Sequence, residues 1–240
     1  MIFDQYFYHP DLTQSVVTLS REESEHCMRA LRHRAGDRVL LTDGKGHEAT
    51  ALIVSADPKA CMVELSEVRE VRAGSPRRLH LAIAPTKNMD RMEWLVEKCV
   101  EIGIESVSFI VCEHSERPKV NLDRLQRIAI SALKQCQTTW LPPLELLTFG
   151  EFVDGHRQMV ADKYIAWCDD DNTRQFAEED FRHEDVILLI GPEGDFSPAE
   201  IACARAAGYV EIKLGNRRLR TETAGLYGCL TVAIKTENHY

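Results

Sequence analysis

Two stretches of this chain bring glycine loops and charged side chains together at a spacing suited to holding a ligand. The first, Val186–Ile201, reads VILLIGPEGDFSPAEI. Val186–Ile190 is a short, β-branched run with the pattern of a buried central strand. Gly191-Pro192-Glu193-Gly194 breaks it, because glycine reaches backbone conformations that a side chain forbids. Ser197, Pro198 and Glu200 then mark a helix start, with Ser as N-cap, Pro at the first helical position and Glu reaching back. The second stretch, Val210–Ala224, reads VEIKLGNRRLRTETA and repeats the order strand, glycine, loop, helix. Loops at the carboxyl ends of strands in open α/β sheets bind ligands, so two this close in sequence are expected to wall one pocket. The chemistry is binding by backbone groups with cations beside it, since Lys213, Arg217, Arg218 and Arg220 crowd a segment that has no acid. No Gly-Lys-Ser or Gly-Lys-Thr follows, which excludes a phosphate loop. No G-x-G-x-x-G follows a strand, which disfavours a nicotinamide dinucleotide.

The elements that must position these loops are legible in outline. From Leu79 the pattern is strand Leu79–Ala84, helix Asp90–Ile102 ending at Gly103, strand Val107–Val111, helix Leu122–Gln135 and strand Tyr164–Cys168. Strands alternating with helices predict a mostly parallel sheet covered on both faces. Upstream, Ser20-Arg21-Glu22-Glu23 is a capping-box pattern that predicts a helix stopping near Gly36. Asp37–Thr42, His47–Ser55 and Cys61–Val71 read as strands joined by Asp43-Gly44-Lys45-Gly46 and Asp57-Pro58-Lys59 turns. This meander predicts a small barrel or sheet domain over 1–72, with Arg72–Arg78 a linker and 73–240 the α/β domain. The final helix, Thr221–Lys235, carries Ala224, Leu226, Tyr227, Cys229, Leu230, Val232, Ala233 and Ile234 around nearly the whole cylinder. Such a helix is expected to be buried all round, either within one subunit or partly against a second copy in a homodimer.

Composition narrows the class. The 240 residues are 44% hydrophobic and 28% charged, enough for a real core in one large or two modest domains. The opening MIFDQYFYHPD lacks a basic n-region, so no signal peptide is expected, and no apolar run is long enough to span a bilayer. Eight dispersed cysteines without C-x-x-C make a disulfide framework or a zinc site unexpected, and no metal is assigned. The reading is a reduced, cytoplasmic protein. A net charge of −9 argues against broad nucleic-acid coating. Arg29, Arg32, Arg34 and Arg38 nevertheless share one short segment, either a binding site or a solvated face.

The combination Gly-Pro-Glu-Gly-x-Phe-Ser with Leu-Gly-x-Arg-x-Leu-Arg-Thr-Glu-Thr-Ala is far more specific than either loop alone. With it, the chain resembles the SPOUT-class methyltransferases that act on uridine N3 of small-subunit ribosomal RNA, the RsmE family. The resemblance runs through His26, Leu31, Arg32, Gly36-Asp37 and Asp43–Gly46, then Lys87, Asp90–Glu93, Lys98, Glu101, Gly103, Ser115–Arg117 and Gln135. It ends in Gly191–Gly194, Phe196-Ser197, Glu200, Leu214-Gly215, Arg217 and Leu219–Ala224. It implies an N-terminal PUA-like β-barrel that holds RNA and a C-terminal α/β domain threaded into a trefoil knot. It also implies S-adenosylmethionine as methyl donor and 16S ribosomal RNA of the small subunit as partner. The cofactor residues it implies are Leu189, Gly191, Pro192, Glu193, Gly194, Leu214, Gly215, Asn216, Arg218, Leu219 and Ala224. Three departures stand out: Asp195 in place of a third glycine, Arg218 in place of an apolar residue, and no arginine in Gln135–Trp140.

Uridine N3 is a weak acid and a poor nucleophile until it loses its proton. Arg220 is the first candidate for stabilising charge on the uracil oxygens. Glu222 is the candidate base, against its plainer role as a first-turn carboxylate at a helix start. Arg29, Arg32, Arg34 and Arg217 are candidate RNA contacts. Two other functions stay open: a SPOUT enzyme acting on ribose 2′-hydroxyls, and a non-catalytic RNA-binding assembly factor.

Overall fold

The computed structural model describes residues 5–71, 77–168 and 172–237 and divides into two compact units. Most of the expected linker, 72–76, lies outside the described residues.

The first unit comprises Met1–Ala73 together with Ile130–Leu141. Strands β1 (Tyr6–Tyr8), β2 (Val16–Thr18), β3 (Arg38–Thr42), β4 (His47–Ser55) and β5 (Met62–Glu70) form a sheet in the order β1-β3-β4-β5-β2. All its pairs are antiparallel except β1 with β3. The inward residues of the alternating strands, among them Phe7, Leu41, Ile53 and Val63, close over Cys27 and Leu19 as one core. The two three-residue strands were not expected, and they complete both edges of the meander. Helix α1 (Arg21–Glu25) starts as predicted, with the Ser20 hydroxyl accepting from the Glu23 amide. Glu23 does not reach back; its buried carboxylate pairs with Lys134 and accepts from the Tyr8 amide. The helix continues as a π-turn, His26–Ala30, and stops well before Gly36, with Arg32 in the left-handed region at φ 59°.

Segment 130–141, left with the α/β domain in the sequence reading, packs with this first unit. The Gly46 amide donates to the Thr139 carbonyl at 2.8 Å and the Leu141 amide to the Gly44 carbonyl at 2.8 Å. The Thr139 hydroxyl donates to the Val71 carbonyl at 2.8 Å.

The second unit holds β6 (Arg78–Ile83), α2 (Met89–Ile102), β7 (Ser106–Val111), the first half of α3 (Leu122–Cys136), β8 (Leu144–Thr148) and α4 (Phe149–Gly155). It continues with β9 (Asp162–Ala166), β10 (Asp185–Ile190), α5 (Pro198–Ala206), β11 (Val210–Ile212) and α6 (Thr221–Glu237). Its six strands are all parallel, in the order β11-β9-β10-β6-β7-β8. The order reverses between β6 and β10, so the loops after these two strands flank the switch point at which such sheets bind ligands. Strand β8 and helix α4, after Pro142-Pro143, were not expected.

Both faces are covered, as the alternation predicts. Phe149, Phe152, Ile201 and Ala204 of α4 and α5 pack with Ile187 and Leu189 on one face. Helix α6 lies on the other, so close that a Cβ at Gly228 would stand 2.1 Å from Leu188 Cδ2. All-round burial of α6 does not hold within one chain: Leu230 and Ile234, one turn apart, are 42% and 55% exposed.

The amino ends of the strands are tied by charge. Asp185 accepts from Arg78 Nε and Nη2 at 2.8 and 2.7 Å, and His80 Nε2 lies 3.0 Å from the same carboxylate. His80 Nδ1 is 2.9 Å from the Ser106 hydroxyl. Burial pushes the Asp185 carboxyl up, but hydrogen bonds from Arg78 and His80 outweigh it and hold it below the usual carboxylate range.

Candidate functional site

The candidate site is built on the carboxyl edge of the parallel sheet. Because every strand runs the same way, the segments after β6, β7, β9, β10 and β11 all emerge there. Leu189 is fully buried in β10. Beyond Ile190 the loop rises from half-buried Gly191 and buried Pro192 to exposed Glu193 and Gly194. The capping box forms as predicted: the Ser197 hydroxyl accepts from the Glu200 amide, and Glu200 accepts from the Ser197 amide. The first loop is bonded to its neighbour across the switch point, with the Ala84 amide donating to the Ile190 carbonyl at 2.9 Å.

Gly194 has a reason that the sequence did not reveal. A Cβ there would stand 3.0 Å from the Cβ of His114, in the segment after β7. Asp195 takes over the left-handed conformation at φ 62°, which an aspartate tolerates better than most residues.

The second loop is held by the segment before it. Lys213 donates from its amide to the Arg174 carbonyl, and its carbonyl accepts from the Phe176 amide at 2.9 Å. The Gln175 side chain accepts from the Gly215 amide at 3.1 Å and donates to Asn216 at 3.4 Å. Leu214, Gly215 and Leu219 are half-buried; Asn216, Arg217, Arg218 and Arg220 are exposed. Gly215 sits at φ 91°, in the left-handed region, with open space where a side chain would begin. Sequence reasoning missed His114, Gln175 and Arg91. Gln175 lies in a segment without periodicity and carried no signal.

Helix α6 opens on the second loop, its first turn closed by the Ala224 amide donating to the Arg220 carbonyl. Ala224 is buried against the sheet side. Arg220 is exposed, with no carboxylate paired to it among the described residues. Glu222, by contrast, is 7% exposed. Its Oε1 is 3.5 Å from Arg91 Nε in the first turn of α2, and its Oε2 is buried with no hydrogen-bond partner among the described residues. A buried carboxylate oxygen left unmatched is costly.

The two thiols beside these loops are shifted toward their neutral form. Burial and the Asp195 carboxylate push the Cys168 thiol up, against smaller opposing effects of Arg218 and Lys213. Burial also pushes the Cys112 thiol up. Among the described residues no group of three or more His, Cys, Asp or Glu could hold a metal ion, and no helix is long and apolar enough to cross a membrane. Of the other candidates, Arg29, Arg32 and Arg34 are exposed in the first unit, Arg29 with Glu25 at 3.9 Å.

The RNA methyltransferase domain model matches residues 73–233, and the RNA methyltransferase PUA domain model matches 19–66. The Synechocystis ribosomal RNA small subunit methyltransferase E is 30% identical over 89% of this chain and 71% of its own length. The Bacillus subtilis enzyme of the same name is 25% identical over 92% of this chain and 90% of its own. A crystal structure of a probable rRNA-methyltransferase from Porphyromonas gingivalis matches with a TM-score of 0.90 and 42% identity, covering 98% and 100% of the two chains. The Neisseria gonorrhoeae ribosomal RNA small subunit methyltransferase E, solved with S-adenosyl methionine bound, matches at TM-score 0.82 and 26% identity over 96% and 97%. The chain belongs to the ribosomal RNA small subunit methyltransferase E family. It is an RNA methyltransferase with a PUA domain near its N-terminus.

Proposed function

We propose that this protein transfers a methyl group from S-adenosylmethionine to N3 of a uridine in 16S ribosomal RNA of the small subunit. The observation that carries this reading is the pair of loops at one sheet edge, ending on a helix whose first turn holds a buried, half-unmatched carboxylate. Gly191, Pro192, Glu193 and Gly194, over Leu189, form one wall of the donor site. Leu214, Gly215, Asn216, Arg218 and Leu219, with Ala224, form the other. The open space beside Gly215 fits a ligand read by backbone groups. S-adenosylmethionine supplies an activated methyl group on a positive sulfur, so the protein needs alignment rather than a metal or a covalent residue.

The chain's own residues do the rest. Arg220, exposed just before α6 and with no carboxylate paired to it among the described residues, stabilises negative charge on the uracil oxygens. Glu222 takes the N3 proton on Oε2 while Oε1 stays near Arg91. Arg217 and the Arg29, Arg32 and Arg34 cluster contact RNA phosphates and set its register. The edge strand β11 leads into α6, which packs on the central strands β6 and β10 and on α2. That return from edge to centre supports threading of the chain as a trefoil knot. The exposed Leu230–Ile234 face supports a homodimer: Leu230→Glu should yield monomers in sedimentation, and a wild-type monomer at micromolar concentration would contradict it. The working compartment is the cytoplasm.

The deciding experiment is labelled methyl transfer onto small subunits from a strain lacking the modification, followed by nucleoside analysis. N3-methyluridine is expected. A 2′-O-methyl product would place the enzyme with ribose methyltransferases, and no transfer with no cofactor binding would leave an RNA-binding assembly factor.

A further inference from the structure

The first glycine loop is not free-standing: three hydrogen bonds tie it, and a fourth ties the helix that follows it, to the segments after β7 and β9. His114 Nδ1 lies 3.1 Å from the Gly194 carbonyl and 3.0 Å from the Asp195 carbonyl. Both partners accept only, so Nδ1 must carry the hydrogen and donate to both. Beside it, the Glu113 amide donates to Glu200 Oε1 at 2.9 Å, the carboxylate that also closes the α5 capping box. On the other side, the Cys168 amide donates to Asp195 Oδ2 at 3.2 Å, while Asp195 Oδ1 accepts from the Phe196 amide at 2.8 Å. The bare face of Gly194 lets the imidazole close in, since a Cβ would come within 3.0 Å of His114 Cβ.

We infer that His114 and Asp195 are a pair of positioning residues that fix the loop Gly191–Ser197 in its cofactor-binding conformation. The inference rests on the reading of this loop as a donor site and adds the residues that hold it. Asp195 holds the left-handed backbone and supplies the carboxylate that anchors the loop to the segment after β9. His114 does the same from the end of β7. Neither has to touch the methyl donor. Their effect is to order the loop before the ligand arrives, so that less freedom is lost on binding.

The test measures S-adenosylmethionine binding by calorimetry and steady-state methyl transfer with the full-length protein. His114→Ala and Asp195→Ala should each raise the Kd and KM for S-adenosylmethionine about tenfold, the scale of one or two lost hydrogen bonds. The kcat at saturating donor and the KM for RNA should stay within about twofold. Asp195→Asn, which keeps an acceptor and tolerates the backbone conformation, should restore most of the affinity. Gly194→Ala should weaken binding, and adding His114→Gly should recover part of it by removing the clash. Wild-type affinity in His114→Ala and Asp195→Ala would overturn the inference, as would a fall in kcat at unchanged Kd. If the wild-type protein itself fails to bind S-adenosylmethionine, it is the donor-site reading that falls. Melting temperatures without ligand guard against simple unfolding: a variant that has lost its transition is replaced by Asp195→Gly, which should show the same split.

Discussion

The two edges of the parallel sheet in the second unit are made of similar residue types put to opposite uses. At the amino edge, Arg78, His80, Ser106 and Asp185 satisfy one another across three strands. At the carboxyl edge, Glu222 keeps one buried oxygen unmatched among the described residues, and Arg217, Arg218 and Arg220 stand exposed. Native proteins match buried polar groups wherever stability is the only demand. Under the proposed function the orphan oxygen serves the reaction, while the closed network serves stability. The Tyr209 hydroxyl just before β11 is also buried without a hydrogen-bond partner among the described residues, but burial pushes its ionisation far up and keeps it neutral. An unmatched hydroxyl is a smaller penalty than an unmatched carboxylate.

Changes at the carboxyl edge should strike turnover, and changes at the amino edge should strike stability. The largest effect expected is in Arg220→Lys, whose ammonium cannot reproduce the planar fork. Single-turnover rates should fall by roughly 3 kcal/mol of barrier, the scale of one oxyanion donor, with donor affinity and melting temperature unchanged. Normal turnover in this variant would remove Arg220 from the chemistry.

Next comes Asp185→Asn, expected to lower stability by about 2 kcal/mol in urea unfolding, less than a fully buried pair because Arg78 is partly exposed. Donor affinity should not move. The same variant sharpens the pH dependence. Because the folded Asp185 carboxyl lies below its unfolded value, its contribution is present above the ordinary carboxylate range and is lost as pH falls through the depressed value. Wild-type stability should therefore drop on acidification below about pH 4, and Asp185→Asn should lose that part of the drop. Equal acid sensitivity in both would break the assignment.

Glu222→Gln separates base from helix-start carboxylate. As base, it flattens the acidic limb of the pH–rate profile. As a helix-start charge alone, it keeps the profile and gives up about 0.5 kcal/mol of stability. The smallest effect on either edge is expected from neutralising Arg29, Arg32 and Arg34 together. RNA affinity should weaken and its log–log salt slope shrink by about 2, with donor binding and sheet stability untouched.

How far the sequence carried this reading follows from the range of each signal. The loops, the Ser197 cap and the Gly103 stop were legible because glycine, proline and capping residues act within a few residues of themselves. Strands β1 and β2 were not, since three residues carry no period and their pairing is set by distant partners. Segment 130–141 looked like any amphipathic helix end, and Glu23, the Gly44–Gly46 backbone and the Val71 carbonyl, all distant in sequence, draw it into the first unit. In the site, backbone-forming positions were found and clamping side chains were not. His114 and Gln175 act across 80 and 40 residues, a reach that no local pattern encodes. Gly194 shows the limit well: its need for glycine was legible, but the side chain demanding it was not.

The most direct test of the division between the two edges is amide hydrogen exchange of the full-length protein with and without S-adenosylmethionine. Added donor should slow exchange in 112–117, 191–197 and 213–224, while 78–80, 106–107 and 184–187 stay as they were. Protection gained at the amino-edge segments, or none at the two glycine loops despite measured binding, would contradict the account.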